Sequence, residues 1–408
     1  MAEITEEPKV GRVVFTGSRH EMLGIILRGY LLMLPTIGLY RFWQATWKRR
    51  FYWQNTVIDG EPLEYTGTAS QLLLGFFFAL AFFLPIYIAF FVLSMQDVDY
   101  LLLGYVAIAA IVWFLMGYAI YRARDFRLSR TLWRGIRFDL RGFALAYALR
   151  RFLWSLAMLA TLGLIYPWMA SSLWRYRWRN TWYGDRKFDV AGTWRAFAAP
   201  YYGAYFINLL TIGSTLIWIV SAKDFVRVGA GAVPGPIGLA LSAACLVIFG
   251  FTMALYRARS ASRMLSTVSM GDAKLSVRIG TGALFWQFVF YVIAVVLLLA
   301  VLAAAALIGL ASAFAAAAAN GQEPDAAAMF AFLQSGTLNV VMLIVVYLVV
   351  LGTLGLLAEV ILALGWWKLI ATSTTIINPD SVQAAKSSPE DRALIGQGLA
   401  DALNVGAY

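Results

Sequence analysis

The chain has 408 residues, of which 61% are hydrophobic and 13% charged, and its 33 Lys and Arg against 22 Asp and Glu give a net charge of +11. A water-soluble domain carries about 25% charged residues, so an ordinary solvated surface is excluded. One cysteine, Cys245, and one histidine, His20, exclude an internal disulfide, a histidine metal centre and a cysteine–histidine nucleophile pair.

In chain order, residues 1–11 are a predicted acidic tail with Glu3, Glu6 and Glu7, without the apolar core of a cleavable signal peptide. Residues 12–68 then form a unit that returns at 137–193, ungapped at an offset of 125, with 16 identities in 57 positions. Arg12 matches Arg137, Thr36 and Gly38 match Thr161 and Gly163, and Trp43 matches Trp168. Arg50, Trp53 and Asn55-Thr56 match Arg175, Trp178 and Asn180-Thr181. Such repeats beside long apolar runs mark membrane proteins.

Arg12–Gly17 and the segment after Asn55-Thr56 read as turns or short strands. Between them, the apolar stretch 22–40 is interrupted by Pro35-Thr36-Ile37-Gly38, which predicts two short helices hinged at Pro35, Thr36 and Gly38. In the following segment, Trp43, Trp47 and Phe51 are four apart and would share one helix face beside Lys48, Arg49 and Arg50. Indole rings favour the headgroup level and arginine meets lipid phosphate there, so this is a predicted interfacial anchor. Stretches 71–94 and 100–121 then make a hairpin, each long enough for the roughly 20 residues of a bilayer-crossing helix.

Beyond that hairpin, Arg127, Arg130, Arg134, Arg137 and Arg141 are spaced three, four, three, four. On a helix they would stack like charges on one face, unfavourable without counter-anions. Headgroup phosphates supply about 1 kcal/mol per basic residue near an anionic surface. The second copy places its hinge at Thr161 and Gly163 within 152–174, and its aromatic-basic face at Trp174, Arg175, Trp178, Arg179 and Trp182. Two further hairpins follow, 199–220 with 236–256, where Cys245 serves as a small hydrophobe, and 284–314 with 338–367.

Glu359 is the most isolated carboxylate inside an apolar stretch. A charge at that depth is costly unless paired, and such residues mark ion or proton paths. Arg28, Arg150 and Arg151 are its candidate partners. The organisation is thus an acidic tail 1–11, membrane repeats 12–136 and 137–274, a degenerate third repeat 275–370 and a polar tail 371–408.

Counting Lys and Arg decides the topology. If all eight apolar stretches cross, and Arg28 inside the first is set apart, the basic residues divide 17 against 15. If 22–40 and 152–174 instead leave and return on one face, the division is 31 against 2, Lys223 and Arg227. Short loops of membrane proteins gather Lys and Arg on the cytoplasmic side, which selects the second arrangement. The poor side carries Asp97, Asp99, Asp224, Glu323 and Asp325. The expected fold is therefore an all-α polytopic membrane protein, with six full spans and two hinged segments that are either re-entrant or interfacial.

The motifs Phe15-Thr16-Gly17, Thr36-Ile37-Gly38-Leu39-Tyr40, Arg49-Arg50-Phe51-Tyr52, Tyr121-Arg122-Ala123-Arg124 and Trp133-Arg134-Gly135-Ile136-Arg137-Phe138 occur in that order over about 15–260. In this they resemble the YjgN-like family of bacterial inner-membrane proteins of unknown function. The resemblance implies the bacterial inner membrane and supplies no substrate or catalytic residue; the division of Lys and Arg puts the basic loops and both termini on the cytoplasmic side as an expectation.

No Gly-Lys-Ser/Thr nucleotide loop and no nucleophile–base constellation occur, so no enzyme, no cofactor and no metal site is expected. The expected partner is the bilayer, anionic phospholipid in particular. No nucleic acid is expected, because the adjacent membrane accounts for the Trp and Arg residues, and no protein partner is identified. Two functions are carried forward. One is a transporter or channel for a small solute, ion or lipid. The other is a non-catalytic scaffold whose basic face gathers anionic lipid or an acidic protein.

Overall fold

The computed structural model describes residues 10–95, 98–223, 225–228, 231–319 and 337–387. The first nine residues of the acidic tail, Asp97, Asp224, Glu323, Asp325 and the tail from 388 lie outside the described residues. The chain divides into two compact units, one of residues 1–281 and 369–408, the other Gly282–Lys368.

In the first unit helices alternate with strands. They run β1 (Val10–Phe15), α1 (Arg19–Met33), α2 (Arg41–Gln54), β2 (Thr56–Ile58), β3 (Glu61–Tyr65), α3 (Ala69–Ser94), α4 (Val98–Ser129), β4 (Thr131–Trp133) and β5 (Ile136–Leu140). There follow α5 (Ala144–Ala160), α6 (Tyr166–Arg179), β6 (Thr181–Tyr183), β7 (Arg186–Lys187), β8 (Asp189–Val190) and α7 (Arg195–Ala222). A separate hairpin of β9 (Phe225–Val228) and β10 (Gly231–Pro234) joins α7 to α8 (Pro236–Leu265), and β11 (Val268–Met270) and β12 (Ala273–Val277) come next. The second unit holds α9 (Thr281–Ala319), α10 (Thr337–Leu357), a π-helical turn at Ala358–Ala363 and the start of α11 (Leu364–Thr372). The chain then re-enters the first unit with β13 (Thr374–Ile377) and α12 (Asp380–Gln383).

The expectation of an all-α fold is corrected by an 11-stranded antiparallel sheet in the order β7-β6-β5-β4-β3-β2-β1-β13-β12-β11-β8. Its two ends are one piece of chain. Only Phe188 separates β7 from β8, so Arg186–Val190 pairs with β6 through its first half and with β11 through its second. The sheet closes on itself, and closure removes the exposed edges that short strands otherwise present. The strands near Arg12–Gly17 and after Asn55-Thr56 fall where turns or short strands are expected; their joining into one sheet escapes a sequence reading, because pieces of two to six residues carry too little alternation to show their pairing.

Turn chemistry sets the register. Asp59 and Gly60 have φ of 51° and 85°, and Arg134 and Gly135 have 51° and 73°, the paired left-handed geometry that matches hairpin twist. Trp133, Tyr183 and Met270 come from strands that are not neighbours, yet they form one buried cluster with Ala385, so their side chains meet within the ring. The Tyr183 hydroxyl donates to the Trp133 carbonyl at 2.9 Å, and burial pushes its pKa up to about 12. Pro379–Lys386 lies against the hairpin turns: Ser381 accepts from the Asp272 N–H, Gln383 donates to Asp59, and Lys386 meets Asp185.

Among the described residues, six helices are long and apolar enough to cross a membrane: Ala69–Val92, Gly104–Ser129, Arg195–Ala222, Pro236–Leu265, Thr281–Gly309 and Ile344–Thr372. Their surfaces are apolar, with Leu210, Ile217 and Val220 of α7 largely exposed, so they require a non-aqueous surrounding. Cys245 is half-buried on α8. The segments 22–40 and 152–174 fall outside this set: the first holds most of α1 and the bend that leads into α2, and the second holds the end of α5, a bend and the start of α6.

Candidate functional site

The two predicted hinges share one backbone. Ile37 and Gly38 have φ of 49° and 79°, and Leu162 and Gly163 have 50° and 90°. Gly38 donates its N–H to the Met33 carbonyl and Gly163 donates to Met158, each at 2.8 Å. The threonine does the linking. Thr36 donates its hydroxyl to Leu32 at 2.6 Å and accepts from the Tyr40 N–H at 3.1 Å; Thr161 donates to Ala157 at 2.8 Å and accepts from Ile165 at 3.4 Å. One hydroxyl thus closes the last turn of one helix and opens the first of the next. Pro35 precedes the first of these bends, and its counterpart in the second is Ala160.

The surroundings of the bends differ. Tyr201, Tyr202 and Tyr205 of α7 donate their hydroxyls to the carbonyls of Gly163, Leu164 and Leu162 at 2.8, 2.8 and 2.9 Å. At the same offset, α3 carries Phe76, Phe77 and Leu80, which have no hydroxyl. Ile37 is 94% exposed at the tip of the first bend. The tyrosines were legible as a Tyr-Tyr-x-x-Tyr group opening an apolar run, but their target was not.

The predicted aromatic-basic faces are partly reassigned. Trp43 and Trp47 face outward on α2, and Arg50 lies over the Trp47 ring at 5.5 Å. Phe51 leaves this stripe: it is buried edge-on against Phe15, because α2 must cover the sheet. Arg49 turns to the Tyr65 hydroxyl at 3.1 Å. In the second segment, Trp174, Arg175, Trp178 and Arg179 lie on α6, whereas Trp182 belongs to β6. Arg175 is half-buried, and Arg179 is exposed, 3.6 Å from Asp189.

Arg127, Arg130, Arg134, Arg137 and Arg141 do not share a helix face. Arg127 lies in the last turn of α4, Arg130 follows that helix, Arg134 occupies the β4–β5 turn, Arg137 is on β5 and Arg141 follows that strand. The left-handed pair at Arg134-Gly135 breaks the helix they would have needed. Arg130 is buried, donates to Gln71 at 3.1 Å, and is held below the ordinary guanidinium pKa by that burial. Arg141 pairs with Asp139 at 3.0 Å and covers the Trp182 ring, and Arg134 lies 4.0 Å from Asp59.

Of the proposed intramembrane group, Arg28 is exposed on α1. Arg150 lies in a groove along α5 lined by Ala146, Leu149, Leu153 and Trp154, 4.9 Å from the Tyr176 ring. The stem of Arg151 lies against Gly117 of α4. All three are in the first unit, and Glu359 is in the second.

Glu359 is half-buried in the π-helical turn, where the Leu364 N–H bonds the Glu359 carbonyl five residues back. A π turn shifts the hydrogen-bond ladder and changes which carbonyls need partners. The amide of Gln287 on α9 donates to the carbonyls of Ile361 and Leu362, the latter at 2.8 Å. Gly365 leaves room for that amide, since a Cβ there would lie 2.1 Å from its nitrogen. The sequence reading missed Gln287; the signal that could have found it is a single amide inside an apolar run.

Among the described residues no group of three or more His, Cys, Asp or Glu could hold a metal ion. No curated protein and no solved structure matches the chain. A family model described as bacterial protein of unknown function (DUF898) matches residues 10–402, in agreement with the YjgN-like resemblance, and the chain belongs to that family.

Proposed function

We propose that this is a multi-pass protein of the bacterial inner membrane, with its strand ring and chain ends in the cytoplasm, that moves a small solute, ion or lipid. The division of 31 basic residues against 2 supports that orientation. So does the chain-ordered sheet, to which the helix pairs α1–α2 and α5–α6 both return.

The observation that carries transport is Glu359 in a π-helical turn of a candidate span. Ionisable groups at membrane depth are functional by default, and π turns recur at functional sites. The test is flux in proteoliposomes across solute, ion and lipid classes, comparing the wild type with Glu359→Gln. Flux that falls in the variant is expected. Wild-type protein that passes nothing across those classes contradicts the proposal.

A second reading, a scaffold for anionic lipid, rests on the outward Trp43 and Trp47 and the exposed Arg134, Arg137 and Arg150. It predicts salt-sensitive binding to anionic vesicles that weakens when these three arginines become Gln. Unchanged binding in that variant removes this reading.

A further inference from the structure

Four hydrogen-bond donors gather between α4 and α6 with nothing to receive them. The Nε atoms of Arg124 and Arg177 and the indole Nε1 atoms of Trp174 and Trp178 are all buried and have no hydrogen-bond partner. They form one contiguous group. The Arg124 guanidinium lies 5.0 Å from the Trp178 ring centre, the Trp178 and Trp174 rings are 5.4 Å apart, and the Arg177 guanidinium lies 5.8 Å from Trp174.

The charges acting on Arg124 sharpen the imbalance. Arg177 and Arg127 are like charges near it, and its other neighbours Tyr147 and Tyr121 are neutral phenols rather than carboxylates. Asp125, next in sequence, is bound to Arg122 at 3.0 Å. Burying the Arg124 guanidinium beside like charges is costly, and buried donors without acceptors add the penalty of unmade hydrogen bonds. The first segment has no such deficit at the matching positions. There Trp53 donates to the Thr131 hydroxyl at 2.8 Å, Arg49 donates to Tyr65, and Tyr52 stands where the second segment has Arg177.

We propose that Arg124, Arg177, Trp174 and Trp178 form a binding site for a phosphate-type oxyanion, either inorganic phosphate or the phosphate of an anionic lipid headgroup. Guanidinium forks match phosphate oxygens in shape and charge, and the two indole N–H groups add neutral donors. The site lies in the first unit and does not depend on the reading of Glu359.

The experiment uses the full chain in neutral detergent and in nanodiscs, read by thermal unfolding. Inorganic phosphate is titrated against chloride at matched ionic strength, and phosphatidylglycerol nanodiscs are compared with phosphatidylcholine nanodiscs. A saturable rise with phosphate beyond chloride identifies a soluble anion as ligand. A rise only with phosphatidylglycerol identifies the headgroup. In either arm Arg124→Gln and Arg177→Gln should weaken binding about tenfold or more, as for loss of a charge-assisted hydrogen bond. Trp178→Phe, which removes a donor but no charge, should weaken it less and serves where a charge variant fails to fold. No selective rise in either arm, or rises that persist unchanged in all three variants, would overturn the site.

Discussion

Asp185 and Lys386 hold each other reciprocally: the Asp185 N–H donates to the Lys386 carbonyl at 3.1 Å, and the Lys386 N–H donates to the Asp185 carboxylate at 2.9 Å. The contact fastens Pro379–Lys386 to the hairpin turn after β6. That N–H is the largest cause holding the Asp185 carboxyl below its ordinary range. A depressed carboxylate pKa contributes above the unfolded value, about 4, and loses that contribution as pH falls through the lowered one. The protection of the Lys386 amide, its exchange relative to the unfolded chain at the same pH, should therefore fall in that acid window, and Asp185→Asn should remove that fall. An exchange profile identical in wild type and variant would refute the pairing.

Gly184, beside that contact, cannot take a side chain. Its φ is +57°, and a Cβ would stand 2.1 Å from the Lys386 carbonyl oxygen. Gly184→Ala should release the 379–386 segment while the helices stay folded. Limited proteolysis should then cut within the segment several times faster than in wild type. Equal cleavage rates would mean that the segment does not rest on this turn.

The tyrosines of α7 supply hydroxyl donors to the bend carbonyls of Leu162, Gly163 and Leu164, of which Gly163 also accepts from the Tyr166 N–H. A neutral hydrogen bond contributes about 0.5–1.5 kcal/mol net, so the double variant Tyr201→Phe with Tyr205→Phe should lose roughly 1–3 kcal/mol. Phe76 and Phe77 of α3 have no such role, and Phe76→Tyr should bring no comparable gain. The measurement is the thermal midpoint in detergent. An unchanged midpoint in the double variant would show that water or lipid serves the bend instead.

Gln287 fixes the π turn that carries Glu359. Gln287→Leu removes its two donations to Ile361 and Leu362 and should destabilise the second unit by about 1–3 kcal/mol. Gly365→Ala should act in the same direction by crowding the amide. If both variants unfold as the wild type does, the amide is not what holds the turn.

The six long helices were legible because 20 apolar residues leave a signal that survives any tertiary context. The Thr-x-Gly hinges were legible for a chemical reason: a hydroxyl and a left-handed glycine have few other uses inside an apolar run. The ring was not, since β1 pairs with β13 across nearly the whole chain and each strand is too short to show its period. The arginine series misled because spacing of three and four also fits residues divided among a helix end, a turn and a strand. Tyr201 and Gln287 showed their residue type in the sequence, but their acceptors appear only where non-local backbone comes together.

The proposed function requires one orientation, with the hairpin turns of the ring on the cytoplasmic face and the α7–α8 tip on the other. Single cysteines at Arg134, Asp272 and Lys223, in a chain with Cys245 replaced by Ala, can be labelled in intact cells with a membrane-impermeant maleimide. Only the Lys223 position should react from outside, and the other two should react once the membrane is opened. Outside labelling at Arg134 or Asp272, with Lys223 protected, would contradict the account.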